Sequence, residues 1–278
     1  MNNILNQLIQ LQELNFAKEE QKASNSQMPL GQLEKSITVI RAQLPPEVAE
    51  RYDRLQKHYP LAVVPIINGN CSRCGLAIPH ALINAVRAAE DIHYCPHCGR
   101  FLYYQEGLPR QPKKEPGTER PAHVGIARFS APELMVPALA AKTRDEAVAE
   151  LVKQLAEHRF IEDPSGVSDL ALHREAIVST ALDHGLAFPH VRNVEGGGLT
   201  FALGLKDKGI DFGGTDGHLS KIIFFIVIPT AASAFYLRLL AGLVRTFSET
   251  DARKSLLECE KPEQMWKTLT KLTRDTIP

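Results

Sequence analysis

Two cysteine pairs, Cys71-Ser-Arg-Cys74 and Cys95-Pro-His-Cys98, constrain the fold of this chain more than any other feature. Two residues between cysteines make a tight knuckle, so that both thiolates can reach one tetrahedral ion at ~2.3 Å. Twenty residues separate the pairs, a spacing typical of zinc sites. Gly75 and Gly99 follow the pairs, where a positive φ lets the chain turn back and aim its amides at sulfur. The competing readings are four buried thiols or two disulfides. The N-terminus has no basic segment followed by an apolar block, so no secretory signal is expected and disulfides are disfavoured. Four ligands close the shell, so one structural Zn2+ per chain is expected on Cys71, Cys74, Cys95 and Cys98. His80, His93 and His97 lie nearby and are expected at the surface. Cys259, alone at a helix end, is expected to be a small buried hydrophobe.

The rest of the chain supplies the surroundings. Ile4, Leu8, Leu11 and Leu14 fall at helical spacing, as do Leu30, Leu33, Ile37, Ile40 and Leu44. Turn-forming residues lie between them over 24–31. Residues 1–60 therefore read as a short helical, coiled-coil-like hairpin with a polar helix over 47–58. Residues 61–106 hold the cysteines between strand-like runs at 61–67 and 100–104. Residues 107–123 are rich in proline and lack apolar periodicity, which predicts a linker. Residues 124–278 read as α/β, a mixed sheet flanked by helices, and the whole chain as an α+β multidomain protein. Thr143-Arg-Asp-Glu146 predicts a capping box. Strands are expected over 199–205 and 221–228, and helices over 231–247 and 263–273. The 23 residues 222–244 carry a single charge, Arg238, but Pro229 divides them. A buried strand followed by a core helix is expected there, and no membrane span. Gly196–Gly198 and Gly213-Gly214 lack the Gly-Lys-Ser/Thr or Gly-x-Gly-x-x-Gly patterns of phosphate loops and are expected to be turns.

The segments Pro46-Glu-Val-Ala-Glu-Arg-Tyr-Asp-Arg-Leu55, Ala62-Val-Val-Pro-Ile-Ile-Asn-Gly-Asn-Cys71, Ile78-Pro-His-Ala-Leu-Ile-Asn84 and Cys95-Pro-His-Cys-Gly-Arg-Phe-Leu102 resemble the bacterial C4-type zinc-ribbon proteins that carry an N-terminal coiled-coil hairpin. The hairpin here is shorter than in that family.

In Gly185-Leu-Ala-Phe-Pro-His190 an apolar run ends in Pro and His. Pro189 fixes its own φ and extends Phe188, so His190 is expected exposed at a strand end. A neutral imidazole has a free lone pair and can accept a phosphoryl group; an ordinary polar residue is the plain alternative. Residues 128–275 resemble the enzyme IIA domain, fructose/mannitol class (type 2), of the phosphoenolpyruvate-dependent sugar phosphotransferase system. The resemblance runs through Thr143-Arg-Asp-Glu-Ala-Val-Ala-Glu-Leu151, His173-Arg-Glu-Ala-Ile-Val-Ser-Thr180, Gly185-Leu-Ala-Phe-Pro-His190, Ile222-Ile-Phe-Phe-Ile-Val-Ile-Pro229 and Leu237-Arg-Leu-Leu-Ala-Gly-Leu243. It implies that His190 accepts phosphate from the phosphocarrier protein and that Arg174 binds the phosphate. Asp183, Val191 and Phe188 depart from the usual family residues. Tyr236 stands where the family has a second histidine, which implies a place beside the His190 imidazole; core packing beside Phe235, Leu239 and Leu240 is the plain alternative.

The resemblance thus implies a cytoplasmic, phosphohistidine-carrying regulator whose zinc ribbon and hairpin bind a further, unidentified protein. Its partner in phosphoryl transfer is the phosphocarrier protein. A non-catalytic adaptor with a degenerate enzyme IIA fold is the alternative. A nucleic-acid-binding ribbon ranks last. Lysine plus arginine and aspartate plus glutamate each number 32, and residues 61–104 hold only Arg73, Arg87 and Arg100 as basic residues, not the basic, aromatic-laced patch such domains use.

Overall fold

Leu8, Leu11 and Leu14 are almost completely buried, as their spacing on α1 (Asn3–Ser24) demands. In the computed structural model, which describes residues 3–24, 30–104, 111, 124–194, 197–214, 217–229 and 232–277, contacts divide the chain into two units. One comprises Met1–Glu19 with Pro29–Leu108, the other Glu20–Met28 with Pro109–Pro278.

In the first unit, α2 (Leu30–Gln43) runs antiparallel to α1. Lys18 pairs with Glu34 at 2.7 Å and Gln7 bonds Gln43 at 3.2 Å, so the two sequences meet in opposite order. The turn expected over 24–31 lies largely outside the described residues. Pro45 precedes α3 (Pro46–His58), whose first position accepts a proline without losing a hydrogen bond. The ribbon sheet has the order β2 (Asn70–Cys71), β1 (Val63–Ile67), β4 (Phe101–Tyr104), β3 (His93–Tyr94), with α4 (His80–Ala88) inserted between β2 and β3. Gln12, buried on α1, receives the Ala62 and Val63 amides on Oε1 at 2.9 and 2.8 Å and donates to the Val63 carbonyl at 3.0 Å. Three hydrogen bonds on one buried amide side chain thereby tie helix to strand. Apart from residue 111, the expected linker over 107–123 falls outside the described residues.

In the second unit, the capping box forms. The Glu146 amide donates to Thr143 Oγ1 at 3.3 Å, and the Thr143 amide to Glu146 Oε2 at 3.4 Å. It opens α5 (Arg144–Glu157), whose Ala147, Val148, Leu151, Val152 and Leu155 face the core. The sheet runs β5 (Met135–Val136), β9 (Thr200–Ile210), β10 (Ser220–Pro229), β7 (Leu186–Ala187), β6 (Ala181–Leu182), and β8 (His190–Val194) also pairs with β10. It is mixed, since β10 is antiparallel to β9 and parallel to β7 and β8. The apolar run over 222–244 becomes β10 and then α7 (Ser233–Phe247). Among the described residues no helix is long and apolar enough to cross a membrane. α8 (Thr250–Leu257) and α9 (Pro262–Leu272) follow, and Cys259 is buried between them.

The sixth helix escapes a reading of apolar periodicity. α6 (Pro164–Ile177) buries Arg174 and Glu175 alongside Val167 and Ala171, so half its inner face is charged. Its cap was nonetheless written locally. Asp163 accepts the Gly166 amide at 2.9 Å, and Pro164 takes the first helical position.

Candidate functional site

The ribbon brings its four cysteines together. Cys71 and Cys98 sulfurs lie 3.8 Å apart, Cys74 and Cys95 sulfurs 3.7 Å apart, and all four lie within 4.8 Å of one another. A tetrahedron with ~2.3 Å metal–sulfur bonds has edges of about 3.8 Å, so the set fits one Zn2+. The two knuckles are alike. Gly75 and Gly99 have φ of +73° and +71°, and each returns its amide to the first cysteine's carbonyl at 2.9 Å. A side chain at either glycine would be strained there. Cys71 and Cys95 are buried, Cys74 and Cys98 partly so. Four ligands make the centre structural.

The second constellation lies in the second unit. β8 begins at His190, which stands in register with Ile226 of β10. The preceding two residues hold it there. The Phe188 ring stacks on Phe224, centroids 5.2 Å apart and planes within 5°, and the Ile226 amide donates to the Pro189 carbonyl at 2.9 Å. His190 stands at a strand end, though at the start of its strand, and the expectation that it is exposed is wrong. Only 1% of it is exposed, because α6, α7 and β10 all contribute side chains around it.

The ring's two nitrogens have different surroundings. Nδ1 donates to the Phe188 carbonyl at 3.0 Å, and the Tyr236 hydroxyl lies 3.4 Å from the same nitrogen. A carbonyl can only accept, so the proton sits on Nδ1 and Nε2 keeps its lone pair. Nε2 faces the Glu20 carboxylate, 3.3 Å from Oε1, and makes no hydrogen bond. Glu20 stands on the last turn of α1, within the second unit. Arg174 Nη2 donates to Glu20 Oε2 at 3.1 Å and its Nη1 to the Val178 carbonyl at 2.7 Å. Arg192 Nη2 donates to Glu20 Oε1, and its guanidinium lies over the Tyr236 ring, 4.9 Å from the centroid. Tyr236 is wholly buried on α7, with its ring 5.2 Å from that of His190.

Electrostatics follow from this packing. Burial pushes the His190 pKa down to about 3; the Arg174 and Arg192 charges add to that, and the Glu20 charge and the Phe188 bond oppose it. His190 is therefore neutral at pH 7. Burial resists ionisation of Glu20, but His190, Arg174 and Arg192 outweigh it and hold its pKa at about 2. Burial also raises the Tyr236 hydroxyl pKa, so it stays protonated. Behind Arg174, the buried Glu175 accepts the Thr180 amide at 2.8 Å and fixes the chain that leads into β6.

The structure thus gathers His190, Arg174 and Tyr236. Two members of the cluster were not foreseen from the sequence. Arg192 follows His190 by two residues in a strand, so both side chains leave the same face; that periodicity could have found it. Glu20 is 170 residues from His190 in the chain, and no local pattern marks it. The sequence reading of the first helix gave it no role.

Residues 129–272 match the family described as phosphoenolpyruvate-dependent sugar phosphotransferase system, EIIA 2, and residues 70–102 match the C4-type zinc ribbon domain. A nitrogen regulatory protein of Bradyrhizobium diazoefficiens is 30% identical over 131 residues, 47% of this chain and 85% of that protein. The fructose-specific EIIA component of Haloferax volcanii is 28% identical over 121 residues, 44% of this chain and 79% of its own length. Among solved structures, nitrogen regulatory protein IIA-Ntr of Neisseria meningitidis is 24% identical, with a TM-score of 0.47, covering 51% of this chain and 97% of that one. The EIIA match alone takes in just over half of the residues, and the chain belongs to the phosphoenolpyruvate-dependent sugar phosphotransferase system EIIA type 2 family.

Proposed function

We propose that this protein is a phosphotransferase-system EIIA-like regulator that accepts a phosphoryl group on Nε2 of His190 from the phosphocarrier protein. The observation that carries the reading is a neutral imidazole with its Nδ1 proton committed to the Phe188 carbonyl and its free Nε2 beside two guanidinium groups. In the transfer, the P–N bond of the donor phosphohistidine breaks as the P–Nε2 bond forms. The donor imidazole keeps the electron pair of the broken bond, and the His190 Nδ1 proton stays on its nitrogen, hydrogen-bonded to the Phe188 carbonyl. Arg174 and Arg192 then hold the phosphoryl oxygens, where planar, charge-assisted forks stabilise the charge that spreads over them. Tyr236 acts on the opposite nitrogen and helps fix ring and tautomer. The relatives named as nitrogen regulatory proteins support a regulatory rather than a sugar-transporting role. The ribbon, rigid once it holds zinc, serves to bind a protein partner, and the cytoplasm is where the phosphocarrier protein is met.

The test is incubation with phosphoenolpyruvate, enzyme I and phosphocarrier protein, followed by detection of label under alkaline conditions that preserve phosphohistidine. The intact chain takes up label and a His190→Ala variant does not. Label that persists on His190→Ala refutes the site. No label on the intact chain or on a Glu20→Gln variant points to the adaptor reading.

A further inference from the structure

The anion-holding site beside His190 is already filled by the chain itself. The Glu20 carboxylate touches all three groups that a phosphoryl on Nε2 would need. It lies 3.3 Å from Nε2 and 3.1 Å from Arg174, and it accepts a hydrogen bond from Arg192. These groups are nearly enclosed, with side-chain exposures of 0% for His190, 7% for Arg174, 8% for Arg192 and 11% for Glu20. The carboxylate is anionic and takes one hydrogen bond from each guanidinium group, as the oxygens of a phosphoryl group would.

We propose that Glu20 is a built-in stand-in for the phosphoryl group, so that Arg174 and Arg192 hold either the Glu20 carboxylate or a phosphoryl on His190, never both. The proposal deepens the reading above and rests on it for the phosphorylated state. Two causes make the states exclusive. Phosphorus bonded to Nε2 must place its oxygens within the space that Glu20 Oε1 now occupies. A carboxylate and a phosphoryl dianion in one enclosed site also repel strongly, because little water screens them. Glu20 therefore does two jobs in the resting protein. It neutralises two buried guanidinium groups that would be costly to leave bare, and it keeps an anionic donor away from a nucleophile that is otherwise ready. Transfer begins when Glu20 leaves its seat, and the phosphoryl group that replaces it keeps it out. Phosphorylation is thereby coupled to a change in the environment of the last turn of α1.

The experiment compares the full-length protein with Glu20→Gln and Glu20→Asp variants, checking fold by circular dichroism. It follows phosphoryl uptake from phosphorylated phosphocarrier protein, and binding of inorganic phosphate by calorimetry and phosphorus NMR. Glu20→Gln keeps the size of the side chain and removes its charge. Its uptake rate rises by roughly ten- to a hundredfold, the order expected when the bonds from Arg174 and Arg192 lose their charge assistance, and it binds phosphate more tightly than the parent by a similar factor. Glu20→Asp, a carboxylate one methylene shorter, falls between the two and serves if the Gln variant misfolds. Hydrogen exchange at residues 20–24 increases when the parent protein is phosphorylated. A rate and a phosphate affinity that stay level or fall in a folded Glu20→Gln protein overturn the proposal and leave Glu20 as a structural counter-ion. If neither protein is phosphorylated, the acceptor reading fails, while phosphate binding still decides whether Glu20 occupies an anion site.

Discussion

Acidification gives the sharpest test of the buried His190–Glu20 pair. An imidazole of ordinary pKa ~6.5 is about nine-tenths protonated one unit lower, at roughly pH 5.5. His190, with its pKa pushed down to about 3 by burial, remains neutral there. Carbon-13 or nitrogen-15 NMR of the ring should accordingly show no titration midpoint above about pH 4. The same displacement fixes how stability responds to pH. The folded pKa lies below the unfolded one, so below ~6.5 the unfolded chain binds the proton that the folded chain refuses. Stability contributed by the neutral ring is complete above 6.5 and is lost as pH falls toward 3. Glu20 behaves alike in a lower window, from its ordinary 4.5 down to about 2. Between pH 6.5 and 4.5, His190 alone of the pair acts, with a slope approaching ~1.4 kcal/mol per pH unit. Urea denaturation of the parent and of a His190→Gln variant across that interval measures it. A ring that titrates near 6.5, or equal slopes in the two proteins, would refute the reasoning.

The zinc centre makes a separate claim, that the purified, reduced protein contains one Zn2+ per chain and that Cys95→Ser loses it. So small a ribbon buries little core, and metal binding there is folding energy; chelation should unfold the ribbon while the EIIA signals persist, and full metal content in Cys95→Ser would count against the assignment. Tyr236→Phe removes a hydroxyl 3.4 Å from Nδ1 that shares its proton with Phe188, so the phosphorylation rate should fall by no more than the tenfold that one neutral hydrogen bond of ~0.5–1.5 kcal/mol allows. Tyr236→His should raise the rate if the absent second imidazole limits transfer, and a loss of a hundredfold or more in Tyr236→Phe would show the hydroxyl to be essential.

Features whose causes are local could be read from the sequence. Both cysteine knuckles, the Thr143–Glu146 box and the division of the 222–244 run at Pro229 each depend on a few adjacent residues, and each is present. β5 through β8 are short, from two to five residues, and owe their existence to the partners that flank them. α6 hides because its inner face carries an arginine and a glutamate whose burial makes sense only beside His190 and Thr180. His190 itself was legible by motif, and its enclosure was not, since four separate elements build the wall around it. Glu20 marks the limit. A residue brought to the site purely by tertiary packing leaves no trace in its own neighbourhood of the chain.

The place of β10 has a consequence for the timing of folding. β7, β8 and β9 all pair with it, and His190 is held in register by a residue 36 positions further on. Neither β7 nor β8 could hold its place without it, being two and five residues long. A growing chain in which residue 229 has not yet emerged has the histidine but nothing to align it. It also has no Tyr236 to cover it. The His190 site is therefore among the last parts of the domain to be completed, and a pairing so distant in sequence closes more slowly than any helix around it. If His190 is the acceptor, as proposed above, competence to carry a phosphoryl group then reports that β10 and α7 are in place, and a chain lacking them would not drain phosphate from its donor.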